Sequence, residues 1–590
     1  MNKRAWILIF VFLLGLQFLP GVYAAPRLIA NSADWKDVYS VMLFGSLKSY
    51  NANFLTSTSH AKLMVNQIPR DVEEIRIYSS IRNPFVNNYQ SILMSDGFDN
   101  VVEIRSNEFN LDLLEELPEI TRFIIIDPSY GYNAISVAPF AVLGNYYVLF
   151  VDETNLPRVD AALSDRTVEE MILYGILDRT VRERFAKYDP IIINTGDRFD
   201  DNIEITKMYQ ELHEELKGGP RKQVLLTNGE FIEASFFTGV DPVLFIGYSN
   251  VPQQVRDYIE KSAFEVGTLI GNELIGTATF VKRQTGLSVF VKFGQGARAP
   301  TGPVASVEDL DRFPLPVYNL NIDVIAATIN TATAQLEITY HNLAEIGSYF
   351  QNILIRLNLD EESYVIPDDS DPTFIDGNSF KTTVFDLKDA EGNDIPFQGS
   401  DNITLDISII YGESAKSLEQ TLEKTLVVEK VNVMDEASIE LLEVVYSKRD
   451  KGFYIKVKNI GEVDAYAAAE IFDLYVNTQY GVYGSEKTIS IEKGKSGEIF
   501  VPVELAEEDI ANNEKINVRV LYGQRETALI KSIISVFEFK YSSPDFAVYV
   551  LIALIVILLL LILPKKKCKN CGYKNPILRK TCKKCKQPLR

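Results

Sequence analysis

One pattern of apolar strands and helices occurs three times in the first half of this 590-residue chain, and it constrains the fold more than any other feature. The copies begin at Arg27, Arg122 and Gln223, and their third strands recur at intervals of 95 and 97 residues. In each copy, two strand–turn–helix units precede a third strand. Uninterrupted apolar strands that alternate with helices are typical of parallel sheets covered on both faces. The repeat therefore predicts three tandem α/β lobes: lobe 1 (27–121), lobe 2 (122–222) and lobe 3 (223–297).

Short motifs recur at matching places in the copies. The second helix begins at Leu156-Pro157 in copy two and at Val251-Pro252 in copy three, where copy one has Ser-His at 59–60. In these motifs and in their triplicate arrangement, the lobes resemble the cell-wall-binding repeat type 2 family of prokaryotic surface proteins. The resemblance implies toprim-like lobes in a pseudo-threefold triangle that bind anionic cell-wall polymers. For the whole chain it implies an envelope or surface-layer protein, and an archaeal source suits this architecture.

The turn after the first strand of each lobe is the predicted ligand site of the head, the name used below for the three lobes together. Parallel α/β sheets usually bind ligands where the carboxyl ends of their strands meet the following turns. The candidate residues in these turns are Asn31, Ser32, Ser129, Asn228 and Gly229.

A Gly- and Pro-rich linker, 298–317, follows the lobes, and the pattern then changes to alternating apolar and polar residues. Short alternating strands between turns predict two β-sandwiches, sandwich 1 (318–433) and sandwich 2 (437–540). The turn motif Asn459-Ile460-Gly461 of sandwich 2 is similar to that of the CARDB family of immunoglobulin-like domains, and sandwich 1 has a related turn at Asn342. We interpret the sandwiches as a stalk that lifts the head away from a membrane.

All four cysteines lie within 18 residues of the C-terminal tail. Cys568, Cys571, Cys582 and Cys585 form two C-x2-C knuckles, a spacing that closes a tetrahedral thiolate shell around Zn²⁺. Disulfides and an unstructured basic tail are the alternatives. The segment resembles small zinc ribbons, but it has Lys586 where that family has glycine. We expect a structural zinc site, because four thiolates leave no open coordination position.

Apolar segments flank the predicted lobes and sandwiches on both sides. Residues 1–25 combine a basic start, an apolar stretch and two small residues, which predicts a secretory signal peptide, with an uncleaved anchor as the alternative. Residues 546–563 are apolar and uncharged over 18 positions, and three lysines follow at 565–567. This length suits a hydrocarbon core, a buried core helix being the alternative. Because positive charge favours the cytoplasmic side, we predict a single-pass cell-membrane protein with its ribbon, 565–590, in the cytoplasm.

Export would place the head and both sandwiches outside the cell. Asn402 begins an Asn-Ile-Thr sequon, so it is a candidate glycosylation site on that surface. The tail from 565 to 590 has eleven basic residues and no acid, and the rest of the chain has 48 basic and 80 acidic side chains. An acidic exterior argues against nucleic acid as its ligand, whereas the basic tail suits anionic lipid or a cytoplasmic protein.

The sequence does not favour an enzyme. The three histidines, His60, His213 and His341, fall in three different domains, and the common nucleophile, zinc-protease and P-loop motifs are absent from the sequence. The favoured hypothesis is a single-pass surface protein whose head binds envelope polymer or neighbouring surface-layer protein. The alternatives are a receptor whose ribbon recruits a cytoplasmic partner, and an exported envelope-glycan hydrolase.

Overall fold

The computed structural model describes residues 26–271, 274–298, 307–360, 362–368, 370–400, 402–540, 565–576 and 579–589. The predicted signal peptide (1–25) and the predicted membrane span (546–563) lie outside these residues, so both remain predictions. None of the helices inside the described ranges has the length and apolar character needed to cross a bilayer.

The head consists of three α/β lobes. Lobe 1 contains β1 (Arg27–Asn31), α1 (Trp35–Leu47), β2 (Asn51–Phe54), α2 (Thr58–Gln67), β3 (Ile75–Ser80), α3 (Tyr89–Ser95), β4 (Val101–Ser106) and α4 (Phe109–Glu115). Lobe 2 contains β5 (Arg122–Ile126), α5 (Tyr132–Gly144), β6 (Tyr146–Phe150), α6 (Leu156–Ser164), β7 (Glu170–Tyr174), α7 (Arg179–Phe185), β8 (Ile191–Ile193) and α8 (Arg198–Lys217). Lobe 3 contains β9 (Gln223–Thr227), β10 (Phe231–Ile232), β11 (Val243–Phe245), α9 (Gln253–Lys261), β12 (Val266–Ile270), α10 (Thr277–Thr285), β13 (Ser288–Lys292) and β14 (Gly296–Arg298).

Each lobe is built on a four-stranded, fully parallel sheet. The strand orders are β2-β1-β3-β4, β6-β5-β7-β8 and β11-β9-β12-β13. The first strand of a lobe is always central, with the second strand on one side and the third on the other. This arrangement confirms the prediction of three parallel α/β units. It also places the turn after each first strand where the strand order reverses, which is the usual ligand position in such sheets.

One apolar core runs through all three lobes. The Tyr39 ring in α1 contacts Phe150 of lobe 2 and Phe237 of lobe 3 edge-on, with ring centroids 5.4 and 5.0 Å away. Edge-to-face contacts of this kind add to the stabilisation from burial. The lobes therefore meet around Tyr39 and form one head.

A buried asparagine joins each of the first two lobes to the next. Asn110 in α4 donates to the Val148 carbonyl at 2.9 Å and accepts from the Phe150 amide at 3.1 Å. Asn202 in α8 makes the same pair of bonds to lobe 3, at Val243 (3.2 Å) and Phe245 (2.7 Å). Each asparagine thus satisfies backbone groups of the neighbouring sheet's edge strand, which would otherwise be buried without partners.

The segment after lobe 3 joins lobe 3 to lobe 1. Its strand β16 (Phe313–Pro314) pairs with β10 of lobe 3. The Phe313 ring also lies against Phe54 and Phe85 of lobe 1, with centroids 6.1 and 6.2 Å apart. Part of the predicted linker is therefore a structural element of the head.

The remaining strands form two antiparallel sandwiches and the tail ribbon. The linker strand β15 (Val307–Asp309) pairs with β14. Sandwich 1 contains β17 (Ile322–Asn330), β18 (Gln335–Asn342), β19 (Ser348–Leu359), β20 (Glu362–Val365), β21 (Thr373–Ile375), β22 (Phe380–Asp386), β23 (Ile403–Gly412), β24 (Leu418–Val427) and β25 (Glu429–Val431). Sandwich 2 contains β26 (Ile439–Ser447), β27 (Gly452–Asn459), β28 (Ala465–Val476), β29 (Gln479–Gly484), β30 (Ile489–Ile491), β31 (Ser496–Pro502), α11 (Glu507–Asn512), β32 (Lys515–Gly523) and β33 (Lys531–Glu538). The ribbon contains β34 (Lys565–Lys567) and β35 (Lys574–Pro576).

The two sandwiches share a turn that the sequence motif indicated. Asn342 and Asn459 are both fully buried at the ends of equivalent strands. Each donates its side-chain amide to the carbonyl four residues on, at 2.8 Å, and accepts from the backbone amide two residues on, at 3.0 and 2.9 Å. The side chain therefore holds the turn that follows the strand, which is a common role of asparagine.

Both sandwiches pack against lobe 2. Arg198 of lobe 2 pairs with Glu413 and Glu419 of sandwich 1, and Arg179 pairs with Asp509 of sandwich 2. The alternating strands indicate sandwiches, but they do not indicate which charged side chains meet across domains. The role of the sandwiches as a stalk above a membrane stays a prediction, because the predicted span lies outside the described residues.

Candidate functional site

The four cysteines come together in the ribbon. Their Sγ atoms all lie within 4.8 Å of one another. Cys568 and Cys585 are 3.6 Å apart, and Cys571 and Cys582 are 3.5 Å apart, measured between Sγ atoms. Four sulfurs in so small a volume match a tetrahedral shell with metal–sulfur bonds of about 2.3 Å. The cluster is therefore a candidate site for a metal ion such as zinc, and zinc would supply cross-linking there in place of an apolar core.

The two knuckles are tight turns of the same form. The Gly572 amide donates to the Cys568 carbonyl and the Lys586 amide donates to the Cys582 carbonyl, both at 2.9 Å. Gly572 has a φ of +72° and Lys586 a φ of +56°. This left-handed conformation costs a non-glycine residue about 1–2 kcal/mol. The lysine that departs from the ribbon pattern thus strains the second turn, although the four sulfurs remain clustered.

Asn575 supports the cysteine cluster from the side. It is fully buried, and its side-chain amide donates to the Tyr573 carbonyl at 3.0 Å and to the Cys582 sulfur at 3.4 Å. Burial raises the pKa of Cys582, but N–H donors from the Cys585 backbone and from Asn575 outweigh it and lower the pKa to about 6. The environment of Cys582 therefore favours its thiolate, the form that binds metal.

The five predicted ligand residues of the head do not form one site. Asn31 and Ser32 are fully buried and bonded inside lobe 1, to Ser79 at 2.8 Å and to Asp37 at 2.7 Å. Asn228 and Gly229 are also inside the head: Asn228 is 2% exposed, and Gly229, at a φ of +80°, packs against the rings of Phe245 and Tyr132. Ser129 is exposed and lines a cavity.

The cavity that Ser129 lines has a volume of about 480 Å³ and lies at the carboxyl edge of the lobe 2 sheet. Asp127 follows β5, Gly175 follows β7 and Arg198 begins α8 just after β8. Sandwich 1 contributes Glu413 to the wall. The cavity therefore lies where the strand order reverses, but five of its 17 lining residues come from sandwich 1, far away in the sequence.

Three tyrosines form one side of this cavity. Tyr318, the first residue of sandwich 1, lies 4.1 Å from Tyr130 and 5.5 Å from Tyr132 between ring centroids. Two hydrogen bonds hold the end of the linker here, since the Gly131 amide donates to the Pro316 carbonyl at 2.9 Å and the Tyr318 amide donates to the Tyr132 hydroxyl at 3.2 Å. Tyr130 and Tyr318 are half-buried, so parts of both rings face solvent.

A buried arginine joins lobe 2 to sandwich 1 beneath the tyrosines. The Arg198 side chain is 8% exposed, and it donates to Glu413 at 2.8 Å and to Glu419 at 2.5 Å. Its guanidinium lies 3.9 Å from the Tyr132 ring centroid, a cation–π contact. Burial raises the pKa of Glu413 to about 8, although Arg198 acts in the opposite direction. Two acidic side chains therefore share one cation in a site with little solvent, where burial favours the protonated form of Glu413.

Asp197, the residue before Arg198, both caps a helix and contacts sandwich 1. Asp197 is the N-cap of α8 and accepts from the Phe199 and Asp200 amides. Its other oxygen accepts from the hydroxyls of Ser414 and Ser417 in sandwich 1, both at 2.5 Å. The start of the longest helix in lobe 2 is thus bonded directly to the sandwich, next to the cavity.

The cavity wall is rich in acidic residues. It has five acidic side chains and one arginine, and the acidic ones are Asp127, Asp178, Asp197, Asp201 and Glu413. A second cavity of about 480 Å³ lies at the matching edge of lobe 1, and its basic residues, Lys36, Arg82 and Arg158, are outnumbered by four acids. Neither cavity therefore offers the basic surface expected of a direct polyanion site.

Asn402 lies on the surface of sandwich 1, exposed just before β23. An exposed turn suits a glycosylation acceptor. Its modification remains a prediction.

The chain is distantly similar to two solved structures from Clostridium difficile. No family model and no curated protein matches the chain. Among solved structures, Cwp8 from Clostridium difficile matches with 12% identity and a TM-score of 0.35, over 45% of this chain and 48% of that chain. Cwp6 from Clostridium difficile matches with 12% identity and a TM-score of 0.33, over 42% and 40% of the two chains. The similarity thus spans less than half of either Cwp protein.

A single substitution in the ribbon tests the strained turn. We expect Lys586→Gly to tighten zinc binding by up to about tenfold, because glycine removes about 1 kcal/mol of left-handed strain from the metal-bound form. Competition with a chromophoric zinc chelator measures the change. Lys584→Gly is the matched control, since it removes the same charge from the same turn. Equal or weaker zinc binding by Lys586→Gly would contradict the role assigned to the turn.

The carboxylates around Arg198 predict a pH dependence. Glu413 has a pKa of about 8 in the folded protein and an ordinary value of 4.5, so the folded state holds more protons between these values. Stability is then greatest at the acidic end and falls as pH rises toward 8. We expect resistance to urea to decrease between about pH 5 and pH 8, and Glu413→Gln to flatten this decrease. Glu507→Gln, at an exposed glutamate, is the control; a profile unchanged by Glu413→Gln would refute the assignment.

Proposed function

We propose that this chain is a cell-surface protein whose head binds a polymer of the cell envelope in the cavity between lobe 2 and sandwich 1. The observation that carries the proposal is the tyrosine wall, formed by Tyr130, Tyr132 and Tyr318 at the carboxyl edge of a parallel sheet. Aromatic rings give flat apolar surfaces with polar hydroxyls, which suit the faces of sugar rings. The volume of about 480 Å³ is in the usual range of ligand sites and accommodates a short stretch of a polymer.

The same proposal places the head and sandwiches outside the cell and the ribbon inside. It is supported by the charge asymmetry of the chain, with eleven basic residues and no acid in 565–590 and a strongly acidic remainder. It is also supported by the cysteines, since a cluster of free thiols suits a reducing compartment. In this arrangement zinc holds the basic ribbon folded next to the inner membrane surface.

We further propose that the protein binds its ligand without transforming it. The histidines lie apart: His60 is buried in lobe 1, His213 bonds to the Gly219 carbonyl in lobe 2, and His341 stacks on Phe380 in sandwich 1. A hydrolase that used the cavity would depend on its carboxylates alone. Shortening of an envelope glycan by the purified protein would favour the hydrolase over the binding protein.

A second function follows from the shared wall of the cavity. Because lobe 2 and sandwich 1 both contribute to it, a bound ligand stabilises their contact over any separated arrangement. This property suits a receptor that reports occupancy through its membrane span to the ribbon. Recovery of a cytoplasmic protein with the ribbon only when the ligand is present would support that function.

The binding test uses the full chain in detergent and isolated envelope polysaccharide. We expect Tyr130→Ala to weaken retention of the protein on the polysaccharide by about tenfold, because a stacking ring contributes on the order of 1–2 kcal/mol. Tyr480→Ala is the matched control, since Tyr480 is 71% exposed in sandwich 2 and lies outside the cavity wall. Equal retention of wild type and Tyr130→Ala would exclude the cavity as the polymer site.

A further inference from the structure

The basic residues of the ribbon have no acidic partners. The segment 565–590 has eleven lysines and arginines and no acidic side chain. All of its described basic residues are exposed, and none of them forms an ion pair with another described residue of the chain. The positive charge of the ribbon is therefore left for a partner of opposite charge.

Three of these lysines share one face of the ribbon's sheet. In the antiparallel pair of β34 and β35, Lys567 lies directly opposite Lys574, and Lys565 lies opposite Pro576. Residues directly opposite each other point to the same face, as do residues two apart in one strand. Lys565, Lys567 and Lys574 therefore lie on one face, called the lysine face below. Like charges directly opposite each other are destabilising, and an anion bound between Lys567 and Lys574 would remove this repulsion.

The first cysteine knuckle keeps the two strands of this face together. Cys568 directly follows β34, and Cys571 lies three residues before β35. The Cys568 amide donates to the Tyr573 carbonyl at 2.9 Å, which extends the pairing of the two strands toward the knuckle. The turn that clusters the sulfurs therefore also fixes the spacing of the lysines.

The lysine face begins close to the predicted membrane span. That span ends at residue 563, two residues before Lys565. Two residues of extended chain reach at most about 7 Å, and the headgroup layer of a bilayer is about 5–8 Å thick on each side. A span that ends at residue 563 thus places Lys565 at the level of the lipid phosphates, with Lys567 one strand repeat further along.

We propose that the lysine face binds the phosphate groups of anionic lipids, so that β34 and β35 lie against the membrane surface. This inference rests on the part of the proposed function that places the ribbon next to the inner membrane surface. Lipid phosphates are favoured over nucleic acid as the anion, because the span holds the lysine face beside them at high effective concentration. A nucleic acid would also have to approach the anionic surface of the bilayer.

The test compares two bilayers that differ in charge. The full chain is placed in nanodiscs of phosphatidylcholine alone or with about one third phosphatidylglycerol, and lysine acetylation by acetic anhydride is followed by mass spectrometry. We expect acetylation of the lysine face to be at least about threefold slower in the anionic discs, an effect that disappears in about 1 M salt. Lys222, exposed in lobe 2, is the control and should react alike in both discs.

Two results overturn the inference. One is equal acetylation of the lysine face in the two kinds of disc. The other is acetylation that an added oligonucleotide slows in neutral discs and that phosphatidylglycerol leaves unchanged, since the partner would then be a nucleic acid.

Substitutions separate the lysine face from the overall charge of the ribbon. We expect replacement of all three lysines of the face by glutamine to lower the phosphatidylglycerol that stays with the protein in mild detergent by at least about threefold. The matched control removes the same charge elsewhere in the ribbon and should retain as much of this lipid as wild type; it combines Lys580→Gln, Lys583→Gln and Lys584→Gln. Equal losses in the two triple variants overturn the inference, because they assign the binding to diffuse charge.

Zinc binding shows whether the variants fold. Glutamine at the lysine face removes the repulsion across β34 and β35, so this variant should bind zinc at least as tightly as wild type in competition with a chromophoric chelator. The acetylation experiment uses wild type alone, so it decides the question even if a variant does not fold.

Reconstitution separates this inference from the proposed function. A chain that does not co-elute with either kind of disc does not cross a bilayer, which overturns the proposed topology together with this inference. A chain that co-elutes with both discs and whose lysine face reacts equally in them overturns this inference alone. Slower acetylation confined to the anionic discs supports both.

Discussion

The arrangement of head and sandwiches depends on the buried ion cluster around Arg198. One guanidinium, 8% exposed, bonds to two carboxylates of sandwich 1 and stacks on Tyr132 of lobe 2. Buried ion pairs are rarely a net source of stability, because desolvation offsets most of the attraction, but loss of one partner leaves a buried charge that is strongly unfavourable. The cluster therefore determines mainly how lobe 2 packs on sandwich 1. Among the possible packings, the one that pairs Arg198 with Glu413 and Glu419 is favoured over those that leave one of these side chains buried without a partner. This packing brings Glu413 into the wall of the same cavity as Asp127.

Within the head, uncharged side chains join the three lobes. Asn110 and Asn202 occupy equivalent places in consecutive lobes and bond to the edge strand of the next sheet. These bonds satisfy backbone groups at the edge and keep the lobes in register, while Tyr39 links all three at the centre. Lobe 3 is followed by Phe313 instead of another such helix, so the linker completes the head. The three copies are therefore joined by two different kinds of contact, an asparagine from a helix in lobes 1 and 2 and an aromatic ring from the linker after lobe 3.

Local periodicity predicted much of the fold, because apolar strands and their spacing are local properties. The three parallel sheets, the sandwich turns at Asn342 and Asn459 and the cysteine cluster all follow from short motifs. The cavity could be predicted only in part: Ser129 lies in a turn that lines it, whereas Glu413 lies 215 residues from its partner Arg198, and no local pattern links them. Asn31 and Ser32 line no such cavity in lobe 2, because a polar turn residue can equally well bond inward, and in lobe 1 it does.

We propose that an envelope ligand binds between lobe 2 and sandwich 1. Hydrogen–deuterium exchange of the full chain, with and without envelope polysaccharide, reports both sides of the cavity in one experiment. With the polysaccharide bound, we expect slower exchange in 127–133 and 175–178 of lobe 2 together with 413–418 of sandwich 1. Protection confined to the lobe 1 cavity, at 34–37 and 152–158, would contradict it.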